Sequence, residues 1–145
     1  MRFMVILKAG PESEKEGYHP DPQLVAEMGK FNELLIKAGI VLAMDGLHPS
    51  SKGARVKFSG THRTVIDGPF TEAKELIAGF WLWQVKSLEE AIEWVKRCPH
   101  PPDCDSEVEI RRVFEMEDFA PVLTEEQIQH KVDARAELPL QTANK

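Results

Sequence analysis

The hydrophobic and polar positions of the chain follow patterns that predict where its helices and strands lie. Residues 3–7 form a continuous apolar run of strand length, which is typical of a strand covered on both faces. Between Pro22 and Ala38 the apolar residues return at steps of one, three or four, and this spacing predicts an amphipathic helix. Asp21 is a suitable N-cap, and Gly39 suits the position after the helix. The chain therefore begins with a strand and a helix.

Shorter patterns predict the remaining elements. Apolar or alternating runs predict strands at residues 40–44, 55–58, 63–67, 79–86 and 107–114. The second and third of these strands flank a Ser-Gly-Thr turn, so we expect them to form a hairpin. Ser87 and Glu90 have the spacing of a capping box, which predicts the start of a second helix that ends at Pro99. Thr124 and Gln127 have the same spacing and predict a last helix.

This order, β-α-β-(β-hairpin)-β-α-β, predicts an α+β fold, namely a ferredoxin-like sandwich with an antiparallel sheet and both helices on one face. In the strand at 79–86, Phe80 and Leu82 point to one face of the sheet, and Trp81 and Trp83 point to the other. Tryptophans on the face without helices would form an apolar patch that a dimer covers. We therefore expect both tryptophans in the core of a homodimer. The alternative is that they stack on a flat ligand in a pocket.

Composition and charge favour a globular protein and argue against one that binds nucleic acid. The chain has 145 residues, of which 42% are hydrophobic and 29% charged, and these values predict one soluble globular domain. Beyond residue 115 the sequence becomes acidic and thinly apolar, so we expect a domain at 1–115 and a partly helical extension at 116–145. The formal net charge of −6 argues against binding to nucleic acid.

The N-terminal run and the cysteines bear on where the protein works. The apolar run is too short for a secretory signal or a membrane span, so we expect a cytoplasmic protein with no membrane contact. Cys98 and Cys104 are then expected as thiols. Together with His100 and Asp103 they invite a zinc interpretation, but their spacing matches none of the usual ligand spacings. We predict no metal and no cofactor.

The stretch "VIDGPFTEAKE" has two interpretations. In the first, Asp67–Phe70 is a turn in which Gly68 supplies unusual backbone angles, and Thr71 caps a short helix. In the second, Asp67 and Lys74 lie with neighbouring glutamates at the mouth of a pocket. Apolar walls there raise the pKa of a carboxylate and suit it to acid–base catalysis. Turn chemistry explains each residue type, but the sequence leaves both interpretations open.

Two histidines and one arginine are further candidates for a site. His48 and His62 are the histidines closest in sequence to this stretch, and His is the side chain that titrates near neutral pH. Each is otherwise a surface residue of a loop or strand. Arg111 shares a face of the last strand with Glu109, which favours a charge pair. The alternative is that Arg111 holds a substrate carboxylate as a bidentate fork.

Four segments together resemble a known family. They are "LLIKAGIVLAMDGLHPS", "TVIDGPFTEAKELIAGFWLWQV", "EAIEWVKRCP" and "EVEIRRVFE". This sequence is similar to the YCII-related family, in the branch called DGPF-domain proteins, over residues 3–114. The resemblance implies a dimeric α+β barrel in which each subunit is ferredoxin-like, as the element order also predicts.

The resemblance implies less about function. Other YCII-related proteins carry a His on the first helix and an Asp just before a Pro after the last helix, a pair proposed as an active site. The matching positions here are Gly29 and Cys98, so both members of the pair are missing. A relative removes chloride from a muconolactone, but no residue of this sequence supports that activity here. Some DGPF-branch members are associated with alternative sigma factors, which points to regulation.

The sequence is compatible with two functional hypotheses. In the first, the protein binds or converts a small molecule in a pocket beside the sheet. Its candidate catalytic residues are Asp67, His48 and His62, and its candidate substrate-binding residues are Arg111, Trp81, Trp83, Phe70 and Lys74. In the second, the protein is a non-catalytic dimer with a regulatory or partner-binding role.

Overall fold

The computed structural model of the chain describes residues 1–72 and 75–139. The strands are β1 (Arg2–Lys8), β2 (Val41–Gly46), β3 (Ala54–Ser59), β4 (His62–Asp67), β5 (Ile77–Gln84) and β6 (Val108–Arg112). The helices are α1 (Pro22–Lys37), α2 (Leu88–Val95), α3 (Met116–Phe119) and α4 (Glu125–Ala136), and a single 3-10 turn covers Ser50–Lys52. The predicted order of elements and the α+β class are confirmed.

The described strands form two separate sheets. Four of them make one sheet in the order β2-β5-β1-β6, and every neighbouring pair is antiparallel. This is the strand order of a ferredoxin-like fold, because the two β-α-β units interleave. The hairpin β3-β4 is a sheet of its own and is not hydrogen-bonded to the main sheet. It is an insertion between β2 and β5.

One face of the main sheet packs on α1 and α2 and forms the core. The buried side chains of this core are Phe3, Val5, Phe31, Leu35, Ile40, Trp81, Trp83, Val85 and Ala91. The ring of Trp81 meets Phe31 edge to face, with 5.9 Å between the ring centroids. Its indole N–H donates to Asn32 Oδ1 at 2.9 Å, so the polar end of this large side chain is paired.

The prediction that the tryptophans form the core of a dimer is wrong. Trp81 is 3% exposed and Trp83 0% exposed within a single chain, so neither is available to a second copy. The alternation along β5 was predicted correctly, but the face that receives the helices was not. The open face instead carries Phe80 and Leu82, which lie opposite β1 residues, and Met4, the partner of Leu82, is 37% exposed. Both faces of β5 are apolar, so alternation alone does not tell them apart.

The predicted helix signals are present in the structure. Asp21 Oδ1 accepts a hydrogen bond from the Gln23 N–H at 2.7 Å and caps α1. After α1, Gly39 has a positive φ of 74°, which suits a glycine at that position. Thr124 and Gln127 form the reciprocal capping box of α4. No helix among the described residues is long and apolar enough to cross a membrane.

A cluster of ion pairs ties the C-terminal segment to β1. The Glu115 carboxylate accepts hydrogen bonds from the Arg2 guanidinium at 2.8 and 3.1 Å, and Arg135 of α4 lies 3.6 Å away. The hydrogen bond from Arg2 is the main cause that lowers the pKa of Glu115, and the charges of Arg2 and Arg135 act in the same direction, against the effect of burial. The sequence did not predict α3, which begins directly after this residue.

Removing the charge of Glu115 should destabilise the chain in a pH-dependent way. Because the pKa of Glu115 is lowered in the folded chain, its contribution is full above its ordinary pKa of 4.5 and is lost as the pH falls below that value. We expect Glu115→Gln to lower the free energy of unfolding by about 1 kcal/mol at pH 7. Urea unfolding followed by tryptophan fluorescence should show this difference shrink between pH 5 and pH 3 as acid protonates Glu115.

The matched control is Glu117→Gln, because Glu117 makes no ion pair with any described residue. It should change the free energy of unfolding by a few tenths of a kcal/mol at most. A difference between the native chain and Glu115→Gln that stays constant from pH 7 to pH 3 would contradict this role of the charge.

Candidate functional site

The Asp-Gly-Pro-Phe turn is held against the 3-10 turn that follows β2. The Gly68 N–H donates to the Gly53 carbonyl at 3.1 Å, and the Phe70 N–H donates to Ser50 Oγ at 3.0 Å. The guanidinium of Arg55 lies 3.8 Å above the centre of the half-buried Phe70 ring. These contacts fix where the chain leaves the hairpin and returns to the main sheet.

Ser50 also joins this turn to the loop after β1. The Ser50 N–H lies 3.2 Å from both carboxylate oxygens of Glu14, and Ser50 Oγ donates to Glu14 Oε2 at 2.5 Å. Because the same Oγ accepts from Phe70, one hydroxyl connects two loops that are far apart in sequence. Hydrogen bonds to a charged acceptor are the stronger kind. Three loops therefore meet at Ser50.

Gly68 is required by a close approach of two backbone segments. A Cβ at this position would lie 1.7 Å from the Ser50 carbonyl oxygen, far inside any real contact distance. The prediction that Gly68 supplies unusual backbone angles is wrong, since the glycines with positive φ in the described chain are Gly17, Gly39 and Gly60. The peptide bond between Gly68 and Pro69 is cis. The close approach of Gly68 to the Ser50 backbone supports the turn interpretation of the motif.

A cavity of about 610 Å³ lies beside these loops, between the loop after β1, helix α1 and the first residues of β5. Apolar side chains make most of its wall: Leu7, Ala9, Pro20, Leu24, Val25, Met28, Leu47, Pro49, Ile77 and Ala78. The polar side chains are those of Ser13, Glu14, Tyr18, Asn32 and His48. An apolar cavity with a few polar groups is the usual form of a small-molecule site.

Several of these polar groups already have hydrogen-bond partners. Ser13 Oγ accepts from the Gly10 N–H and donates to the Gly10 carbonyl, at 2.9 and 3.0 Å. The Glu14 carboxylate is occupied by Ser50, and Asn32 Oδ1 is occupied by Trp81. No hydrogen bond within the described residues involves the Asn32 amide N–H groups, the Tyr18 hydroxyl or the His48 ring. These are the groups that remain for a ligand.

The three predicted catalytic residues lie in different places. His48 follows β2 and lines the cavity. His62 and Asp67 are the first and last residues of β4, both are exposed, and neither lines the cavity. The structure therefore does not bring these three side chains into one constellation around the cavity.

The predicted substrate-binding residues are also dispersed. Phe70 packs under Arg55, and the tryptophans are in the core, so none of these rings lines the cavity. Arg111 is exposed and pairs with Glu109 at 3.4 Å, as the charge-pair interpretation predicted. Its hydrogen bond is the first cause that lowers the pKa of Glu109, and the charge of Lys8, 3.4 Å from Glu109, adds to this. Lys74 lies outside the described residues, as does part of the predicted short helix.

Four polar residues of the cavity were not predicted from the sequence. Ser13, Glu14 and Tyr18 lie in a polar loop that offered no periodic signal, and Asn32 is a single polar residue within the apolar stripe of α1. An Asn on the buried side of an amphipathic helix is itself a signal, because a buried amide needs partners. The loop residues had no comparable signal.

The cysteines do not form a joint site in the structure. Cys98 packs against the core, and burial raises the pKa of its thiol to about 11. Cys104 is exposed, and both are free thiols. Within residues 1–72 and 75–139, no three His, Cys, Asp or Glu residues gather closely enough to hold a metal ion.

A comparison with protein families matches residues 1–117 to the model of the YCII-related domain. The chain belongs to the YCII-related family. A curated protein of Rhizobium meliloti (strain 1021) is 26% identical over 91 residues, which are 63% of this chain and 73% of that protein. It is described as uncharacterized. Membership in the DGPF branch of this family stays a prediction.

The position of the first helix where other YCII-related proteins are expected to carry a His is part of the cavity wall. Gly29 occupies it here, and no atom lies within 4 Å of a Cβ added there. Cys98, at the other expected position, is not among the lining residues. The cavity of this chain therefore lacks that pair of side chains, and its own polar groups must provide any chemistry there.

Replacing Gly68 by Ala should destabilise the chain because the added methyl group overlaps the Ser50 carbonyl. We expect Gly68→Ala to lower the free energy of unfolding by about 1–3 kcal/mol, the usual cost of overpacking. The control is Gly29→Ala, where the added Cβ meets nothing within 4 Å and helix propensity favours Ala by up to about 1 kcal/mol. Chemical denaturation of both variants checks this, and a Gly68→Ala chain as stable as the native one would contradict the required close approach.

Proposed function

We propose that this YCII-related protein binds a small neutral molecule, with an apolar body and a carbonyl group, in the cavity beside α1. The observation that supports this most directly is the set of polar groups left without partners in an otherwise apolar cavity. Apolar side chains favour an apolar body, since its burial is worth roughly 25 cal/mol per Å². The polar groups without hydrogen-bond partners then determine which polar group of the ligand binds best.

Asn32 determines which polar group the ligand should carry. The indole N–H of Trp81 occupies Asn32 Oδ1, which leaves the amide N–H groups as the free part of this half-buried side chain. They are donors only, so they favour a ligand that accepts hydrogen bonds. Tyr18 and His48 can each donate as well. A carbonyl oxygen meets this requirement.

Glu14 favours a neutral ligand over an anionic one. Its carboxylate lines the cavity, and although Ser50 donates to it, no positively charged side chain pairs with it among the described residues. An anionic group placed in the same partly enclosed space would be repelled. A carboxylate ligand therefore fits the cavity less well than a ketone, lactone or amide of the same size.

If the protein also converts its ligand, His48 is the residue that we assign as the acid–base group. Of the three candidate catalytic residues it is the one in the cavity wall, and an imidazole can both donate and accept a proton near neutral pH. Asp67 and His62 have no part in this assignment. The noncatalytic alternative uses the same cavity with His48 as a hydrogen-bond donor only.

We also propose that the protein is a homodimer that buries the open face of the main sheet. Met4 is exposed there beside the half-buried Phe80 and Leu82, and the family resemblance implies a dimer of this kind. Apolar residues in such a patch are typical of an interface. Sedimentation of Met4→Glu should then show a weaker dimer than the native chain, and an unchanged dimer would contradict this interface.

The ligand can be tested with four probes of one size: acetophenone, benzoate, benzylamine and ethylbenzene. We expect acetophenone to bind about fivefold more tightly than ethylbenzene, because one hydrogen bond contributes about 1 kcal/mol. Benzoate and benzylamine should both bind more weakly than acetophenone. Isothermal titration or ligand-detected NMR measures the order, and tightest binding of either charged probe would contradict the proposed ligand class.

Two pairs of variants locate the binding. Gly29→Leu fills the cavity from the wall of α1 and should abolish binding, whereas Lys30→Leu adds the same side chain to an exposed position outside the cavity and should not. Asn32→Asp keeps the oxygen that accepts from Trp81 but removes the amide donor, so it should remove the preference for acetophenone over ethylbenzene. Equal binding by the Gly29→Leu chain would contradict this cavity as the site.

A further inference from the structure

The strand register of the hairpin β3-β4 gives it two different sides, because alternate residues of a strand point to opposite faces. We call one of them the outer side, and it carries three cross-strand pairs: Ala54 with Asp67, Val56 with Val65, and Phe58 with Arg63. The other side carries Arg55, whose guanidinium stacks on Phe70 of the same chain. The outer side therefore faces away from the turn that follows the hairpin.

The outer side is apolar at its centre and uncovered in the single chain. Val56, Phe58 and Val65 are 51%, 69% and 65% exposed. An exposed apolar patch of this kind is typical of an interface. A two-stranded sheet without a covering layer is also marginally stable on its own. Both properties favour a partner that covers this side.

The two charges of the outer side have opposite signs and lie at opposite ends. Arg63 lies near the tip of the hairpin and Asp67 at its base, about 13 Å apart along the strand, which is too far for an ion pair within one chain. Neither forms an ion pair with any described residue. The Arg63 guanidinium stacks on Phe58, and its Nη1 donates to the Gly60 and His62 carbonyls at 3.1 and 3.0 Å. These contacts hold the positive charge at the tip.

The apolar side chains of the outer side also differ in size from one end to the other. The large Phe58 ring lies near the tip, the small Ala54 lies at the base, and Val56 lies midway between them along β3. The outer side therefore has a medium-sized centre, one large positive end and one small negative end. Such a surface is complementary to a copy of itself that runs in the opposite direction.

We propose that the outer sides of two hairpins, from two copies of this chain, pack face to face across a two-fold axis. The axis crosses the strands at the Val56–Val65 pair, so the strands of the two copies are antiparallel. Each Arg63 then meets the Asp67 of the second copy. The long Arg and the short Asp side chain together bridge the about 10 Å that separates packed sheets. Each pairing occurs twice, because the contact is the same on both copies.

The same axis matches the sizes of the side chains. Each Phe58 covers the Ala54 of the second copy, so a large group meets a small one. The other two-fold arrangement, with its axis along the strands, would bring both Arg63 side chains to one end and both Asp67 side chains to the other. Like charges placed together are unfavourable, so the charges select the antiparallel arrangement. The contact is separate from the open face of the main sheet.

Exchange of the two charges tests this contact on the full chain. Arg63→Glu and Asp67→Lys should each raise the dissociation constant by about tenfold or more, because two attractive pairs become two repulsive ones. The chain that carries both changes should recover most of the native association, since its pairs are attractive again with the signs exchanged. A mixture of the two singly changed chains should recover it as well. Sedimentation equilibrium measures the dissociation constants.

The controls are Lys57→Glu and Thr64→Lys, which change the charge in the same directions on the other side of the hairpin and should leave the dissociation constant unchanged. Failure of the doubly changed chain and of the mixture to recover association would overturn the proposal, and so would a native chain that is monomeric. Unchanged association of both single variants, with loss of association in Met4→Glu, would also overturn it and leave the dimer through the sheet face standing.

Chemical cross-linking at the axis gives a second readout. Val65 should face the Val65 of the second copy, so Val65→Cys chains should be joined by a bis-maleimide that spans about 10 Å, the separation of packed sheets. Thr64→Cys, on the other side of the hairpin, is the matched control and should not be joined. Both variants carry Cys104→Ser, because the native Cys104 is exposed. Denaturing gel electrophoresis measures the joined fraction, and equal joining of the two variants, or none at residue 65, would overturn the proposal.

Discussion

The close packing of Gly68 against the Ser50 backbone is the contact on which the candidate site depends. It has room for no side chain, and it places the Ser50 hydroxyl where it can accept from the Phe70 N–H and donate to Glu14. The loops after β1 and β2 and the turn after β4 are thereby fixed to each other. The hydrophobic core is formed by other contacts, in which the tryptophans of β5 pack against the helices.

The wall of the cavity is a consequence of this junction. Glu14 and His48 both lie in the loops that meet at Ser50, and Asn32 reaches the same space from α1, where Trp81 holds it. The fold thus supplies one rigid wall from the helix and one wall from loops that hydrogen bonds hold together. Such an arrangement suits binding, because a rigid scaffold carries loops whose side chains select the ligand.

Much of the fold follows from local patterns in the sequence, and the site follows from contacts that no local pattern contains. Asp21, Gly39 and Thr124 marked helix ends because capping depends on neighbouring residues alone. Which face of β5 receives the helices could not be predicted in the same way. Both faces are apolar, and only the packing of helices that are distant in sequence distinguishes them. The reason for Gly68 was hidden likewise, because Ser50 is far from it in sequence. Of the predicted catalytic residues, His48 is the one that the structure places in the cavity wall.

Amide hydrogen exchange of the Ser50→Ala chain tests most directly whether the Ser50 hydroxyl holds the loops of the cavity together. The substitution removes the hydroxyl that connects Phe70 to Glu14 and leaves the backbone contact with Gly68 in place. We expect faster exchange of the Phe70 amide together with weaker binding of acetophenone, while the amides that pair β1 with β5 exchange as before. Faster exchange at Phe70 with unchanged acetophenone binding, or no change at Phe70 at all, would contradict the role of Ser50 as the junction that shapes the site.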